Sequence, residues 1–173
     1  MESTNSLVVN LLFLLAGASV VGLCSYFLRS KTDSGIAREQ VARRLALVEE
    51  VALHIGSVHY IFQKYWALIS ESFRFKDNWP VARKNELDGV TEELVVAFND
   101  LSLADSKLLL LDEKNLCKIL KIYTSKIAHF RKTYYISKTG VTEDELGEIK
   151  KEITSVRDKF FEVLSKRYMK KLE

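Results

Sequence analysis

Residues 7–28 read LVVNLLFLLAGASVVGLCSYFL, 22 consecutive positions without a charged side chain. Asn10, Ser19 and Ser25 are the main polar interruptions. At about 1.5 Å of rise per residue, a helix over this stretch measures about 33 Å, against a hydrocarbon core about 30 Å thick. The core helix of a soluble protein keeps a polar face for water, and this stretch keeps none. A cleaved signal peptide calls for a basic leader and a shorter apolar run, whereas residues 1–6 carry Glu2 and neither Lys nor Arg. The reading is a transmembrane helix over 7–28 behind a short leader at 1–6.

The flanks orient it. Arg29 and Lys31 follow at once, then Arg38, Arg43 and Arg44. Positive charge stays on the cytoplasmic side, so the C-terminal part is expected in the cytoplasm and the N-terminus outside, with the choice of membrane left open. Within the span, Ala18 and Gly22 make a small-xxx-small pair that Ser25 nearly extends, and Asn10 offers a hydrogen bond to a neighbouring helix. Asn10, Ala18, Gly22 and Ser25 are therefore the candidate residues for association inside the bilayer.

Outward from the anchor the texture changes. RSKTDSG at 29–35 is polar and turn-prone, and reads as a juxtamembrane tether with Asp33 or Ser34 as a helix cap. Residues 36–173 then carry periodic apolar positions with a single proline, Pro80, which favours helix throughout. The first pattern runs Val41, Leu45, Val48, Ala52, Ile55, Val58, Phe62, Tyr65, Ile69, Phe73, long enough for a coiled-coil stretch or a bend near Gly56. The second begins near Pro80 with Leu87, Val90, Leu94, Phe98 and Leu101. A polar break is expected over 99–107, with 108–111 as a connector or the first turn of the next helix. Asp112 is the expected cap of a third helix bearing Leu116, Ile119, Tyr123, Ile127, Phe130 and Tyr134. After Gly140, Thr142 and Glu145 form a capping box for a fourth helix with Leu146, Ile149, Ile153, Val156, Phe160 and Val163. The fold class is all-α: one N-terminal transmembrane helix, then an antiparallel four-helix bundle.

Charge is unevenly spread. Residues 77–111 hold three basic and seven acidic side chains, a balance of −4, and residues 112–140 hold seven and two, a balance of +5. Glu86, Glu93 and Asp100 recur every seven residues on the second helix, and Lys114, Lys118, Lys121 and Lys132 share one side of the third. Lys118, Lys121 and Lys132 are the candidate anion-binding residues, for a nucleotide, nucleic acid or lipid headgroup. A solvated face beside an acidic neighbour is the plainer account. No aromatic residue interleaves the row as in a platform for single strands, which argues against nucleic acid.

Signals for chemistry are absent by motif. Glu50 and His54 stand one turn apart, but the Glu-x-x-His pattern of bundle metal sites is missing, so no metal or cofactor is expected. No histidine has an arginine four to six positions upstream, the order used by helical ribonucleases of the HEPN type. There is no Gly-rich phosphate loop or nucleophile elbow. Among the aromatics, Tyr60 and Trp66 lie off the first stripe and, with Trp79, are the candidate protein interface. The expected function is non-enzymatic: a single-pass membrane protein that oligomerises or holds another membrane-associated protein at the cytoplasmic face. The alternative is a sensor whose basic third helix binds an anionic ligand.

Overall fold

The computed structural model describes residues 38–136, 138 and 140–168 in full, and only the helical backbone of 2–37 and Met169. The side chains of the expected anchor at 7–28, with Asn10, Ala18, Gly22 and Ser25, lie outside the described residues, as do the leader and tether side chains. The chain divides into two compact units, Met1–Arg44 and Leu45–Glu173. Four α-helices are present among the described residues, and no strand. They are α1 (Glu2–Phe75), α2 (Val81–Leu110), α3 (Lys114–Thr133) and α4 (Glu143–Met169), with a short 3-10 turn at Lys76–Asn78. The bounds of α1 take in 29–35 as helical backbone.

In the second unit, the cross-contacts set the directions of the helices. Along the α1–α2 seam, Glu50 meets Lys107 (2.6 Å), His54 meets Asp100 (3.4 Å) and Lys64 meets Glu93 (3.1 Å), while Glu71 accepts from Arg83 Nε (3.1 Å). Each advance on α1 is matched by a retreat on α2, so the two are antiparallel. On the other side, α1 binds the start of α4: Trp66 Nε1 donates to the Leu146 carbonyl (2.9 Å) and Arg74 pairs with Glu143 (2.9 Å). Lys126 with Glu152 (2.7 Å) and Arg167 with Glu113 (3.1 Å) make α3 and α4 antiparallel in turn. Between α1 and α3 the pairs are His59–Tyr123, Phe62–Phe130 and Tyr65–Tyr134, advancing together, so these two helices are parallel. The bundle alternates up, down, up, down.

Its centre is apolar and partly aromatic. Phe130 meets Phe62 and Tyr65 edge-on, with centroids 5.6 and 6.0 Å away, and stacks on Tyr134 at 5.0 Å. Such pairs add roughly 0.5–1.5 kcal/mol each beyond the burial of their area. Val48, Val51, Ile55, Val58, Phe62, Tyr65, Leu68 and Ile69 supply the buried side of α1. The exposed Val41 is the one position of the expected stripe that is open to solvent.

The expected break at 99–107 is not there. Helix α2 passes straight through it, because Leu101, Ala104 and Leu108 continue the buried row at steps of three and four. Its polar residues point elsewhere: Ser102 and Ser106 return their hydroxyls to the carbonyls of Phe98 (3.2 Å) and Ser102 (2.9 Å), a bond that a helix tolerates. The 108–111 run is thus the end of α2 and not a connector. Asp112 does not cap α3 either. It takes a left-handed conformation (φ 56) that closes α2, with Glu113 N–H donating to the Leu108 carbonyl (2.9 Å) and Asp112 N–H to that of Leu109 (3.0 Å). That pair of bonds is the Schellman ending, here built on Asp where Gly is usual.

Thr142 does cap α4, accepting from Glu145 N–H at 3.2 Å. The reciprocal half of the box is missing, since the Glu145 carboxylate accepts from the Tyr134 hydroxyl instead (2.5 Å).

One helical stretch among the described residues, Arg38–Asn78, is long and apolar enough by composition to cross a membrane, with a mean hydropathy of 1.3 over its best window. From Val48 to Ile69 its apolar side is the bundle core, which is the use that three packed neighbours give it.

Continuity of α2 is open to a direct check. Ser102→Pro removes a helical donor and drives a ring into the preceding turn, so it should cost about 3 kcal/mol or more in chemical denaturation. A loss under about 0.5 kcal/mol, typical of surface changes, would put a loop at this position.

Candidate interaction surface

Three polar features inside or along the bundle bear on chemistry: His59, the cluster around Lys107, and Cys117. At the first, His59 is buried between α1 and α3. Gln63 Nε2 donates to its Nε2 (3.0 Å), which leaves Nδ1–H to donate to the Tyr123 oxygen (3.1 Å). Burial, reinforced by the positive charge of Arg157, pushes the imidazole down to about 4, so it is neutral at neutral pH. Burial likewise raises the Tyr123 phenol. At the second, Lys107 bridges Glu50 (2.6 Å) and His54 Nε2 (3.1 Å), while His54 Nδ1 faces Asp100 (3.4 Å). The Glu50–His54 pair singled out by spacing is therefore half of a seam between α1 and α2. Among the described residues no three His, Cys, Asp or Glu side chains converge as a metal ion would need. At the third, Cys117 is buried, and burial together with the neighbouring Asp105 carboxylate pushes its thiol up, away from nucleophilic use.

The aromatic candidates divide. Trp79 is 3% exposed and belongs to the core. Trp66 is half-buried against α4, with the Lys150 ammonium over its ring at 3.9 Å in addition to its bond to Leu146. Its position off the α1 stripe reflects the neighbour on that side. Tyr60 alone of the three is open, 65% exposed with Lys64 beside its ring. A cleft at the end of the bundle, between Trp79 and Val141, gathers Lys76, Lys84 and Lys138.

The charged rows also sort themselves. Glu93 and Asp100 turn to α1, and Glu86 pairs with Arg83 on its own helix, so this acidic row does not neutralise α3. One contact links α2 acid to α3 base, Asp105 with Lys121, at 3.9 Å. Lys118 and Lys132 are exposed and have no ion-pair or hydrogen-bond partner among the described residues; the same holds for Asp88 and Glu92 on α2.

The surface that spacing did not reveal is the outward side of α2. Val96, Leu103 and Leu110 stand seven residues apart and are 65%, 50% and 79% exposed. Val95 and Leu109 stand beside them and are also exposed. Helix α2 is thus apolar on two sides, one turned to the core and one to solvent. The row was legible as a heptad in the letters, but the polar residues at 99–107 concealed the helix that carries it.

The buried imidazole yields a pH test. Unfolded, His59 has the ordinary value near 6.5, against about 4 in the fold. The unfolded chain binds more protons in between, so stability is full above pH 6.5 and declines as pH falls towards 4, by up to roughly 3 kcal/mol. Thermal melts of His59→Gln should show a flatter profile between pH 6.5 and 4 than the parent. Identical profiles would mean that His59 does not govern it.

Compared with known proteins, the chain matches no family model, no curated protein sequence and no solved structure.

Proposed function

We propose that this chain is a non-catalytic, single-pass membrane protein whose helix at 7–28 holds a four-helix bundle at the cytoplasmic face, where the bundle binds protein. The observation that carries the reading is the pairing of an uncharged 22-residue run with a bundle whose α2 leaves Val96, Leu103 and Leu110 uncovered. The apolar run supports residence in the bilayer. Arg29 and Lys31 support the orientation. The uncovered row supports a protein contact, since an enzyme or ligand carrier concentrates its apolar surface in a concave pocket and not along a helix.

The anchor is tested by expressing the whole chain and washing membranes with alkaline carbonate. The parent should stay with the membranes. Leu14→Arg with Val20→Arg, at about 2.5–3.5 kcal/mol for each charge near the bilayer centre, should shift it to the soluble fraction. A parent that washes off sinks the anchor. Partner capture by cross-linking in intact cells, through a C-terminal tag, then tests the contact: adducts of defined mass are expected, and a chain recovered alone at every cross-linker dose would remove it.

A second reading has its own observation, the unpaired Lys118 and Lys132 beside Lys121 on α3. Here the basic face receives an anionic ligand and the bundle relays its presence to the anchor. Lys118→Gln, Lys121→Gln and Lys132→Gln together should then abolish sedimentation with vesicles containing acidic lipid, and unchanged sedimentation would discard this reading.

A further inference from the structure

We infer that the partner on the outward side of α2 is a second copy of the same chain, docked so that α2 of each protomer lies along α3 of the other. The inference rests on the proposed reading of an anchored interaction protein, and names its partner and surface.

Three observations lead to it. The first is charge. The outward side of α2 carries Asp88 and Glu92, and the outward side of the adjacent α3 carries Lys118 and Lys132, all four without an ion-pair or hydrogen-bond partner among the described residues. Two neighbouring helices of one bundle thus expose opposite signs that the bundle itself leaves unpaired. A face of this kind complements itself when rotated by half a turn, which is the requirement of a two-fold contact.

The second is height. Lys64 of α1 reaches Glu93 on α2, while Phe62 and Tyr65, one turn around the same part of α1, meet Phe130 on α3. Glu92 and Lys132 therefore lie at one level of the bundle. A two-fold axis parallel to the helices leaves heights unchanged, so it brings Glu92 of one protomer opposite Lys132 of the other, twice. The same axis keeps the Leu45 end of both bundles on one side, as two chains anchored in one membrane require.

The third is extent. Helix α2 has 30 residues and α3 has 20. At about 1.5 Å per residue and a width of about 10 Å, their outward sides together offer roughly 750 Å², near the roughly 800 Å² per partner of a stable interface. The contact would cover Val95 from α2, which is exposed in the single chain.

The test uses the full chain in cell membranes, with Cys24→Ser removing the anchor thiol. Two differently tagged copies are co-expressed, one Glu92→Cys and one Lys132→Cys, and then oxidised. A disulfide-linked heterodimer is expected, and none for Glu92→Cys with Lys159→Cys on α4. In detergent, Glu92→Lys or Lys132→Glu alone should weaken self-association roughly tenfold, since each reversal acts at both copies of the contact. Both changes in one chain should restore it, which a merely structural defect would not allow. A chain that self-associates but forms no 92–132 link and ignores both reversals overturns this surface while the interaction reading stands. A chain that remains monomeric overturns this inference, and a membrane-bound monomer that still captures another protein separates that failure from failure of the proposed function.

Discussion

Burial of one side of α1 by three other helices is the constraint on which the second unit depends. From Val48 to Ile69 this helix contributes side chains that touch α2, α3 and α4. Phe130 sits where the contacts converge, held by Phe62, Tyr65 and Tyr134. Removing such a ring from a close-packed interior leaves a cavity that neighbours fill only in part. The alternation of helix directions follows from the same packing, since short connections return each helix beside its predecessor.

The polar groups admitted to this interior limit how it can be packed. His59 occupies a position between α1 and α3 where an aliphatic side chain would fit the pattern, and its two ring nitrogens are both used. A shift of α1 along α3 by one turn would strand the imidazole and the Tyr123 hydroxyl together. The Lys107 bridge to Glu50 and His54 restrains α2 along α1 in a similar way. Hydrogen bonds of this kind add modestly to stability but penalise misregister, because a buried polar group without a partner costs more than a made bond contributes.

The helices were legible in the letters to the extent that apolar spacing dictates helix faces. The stripes of α1, α3 and α4 read directly from steps of three and four, as did the cap at Thr142. What misled was polarity judged along the chain instead of around the helix. Ser102, Asp105 and Ser106 look like a break in sequence, yet Leu101, Ala104 and Leu108 turn inward between them. Asp112 reads as a cap because Asp usually serves there, while its backbone ends the previous helix instead. The candidate surface was harder still. Tyr60, Trp66 and Trp79 are equally large and aromatic in the sequence, and only the neighbours of each decide that Trp79 is core, Trp66 lies against α4 and Tyr60 is open. The lysine row was visible by spacing, but that Lys118 and Lys132 lack a carboxylate partner among the described residues depends on Glu93 and Asp100 facing α1, which no local pattern encodes.

The position of Trp66 against Leu146 has a consequence for biosynthesis. Eighty residues separate the two. At about 5–20 residues per second, the ribosome needs roughly 4–16 s to deliver α4 after α1 has emerged. Throughout that interval the apolar side of α1 lacks at least one of the helices that cover it, α4 being the last to be made. Its composition passes as a membrane span. A stretch that could pass for a span by composition is thus made safe in the finished bundle only by helices that are synthesised after it.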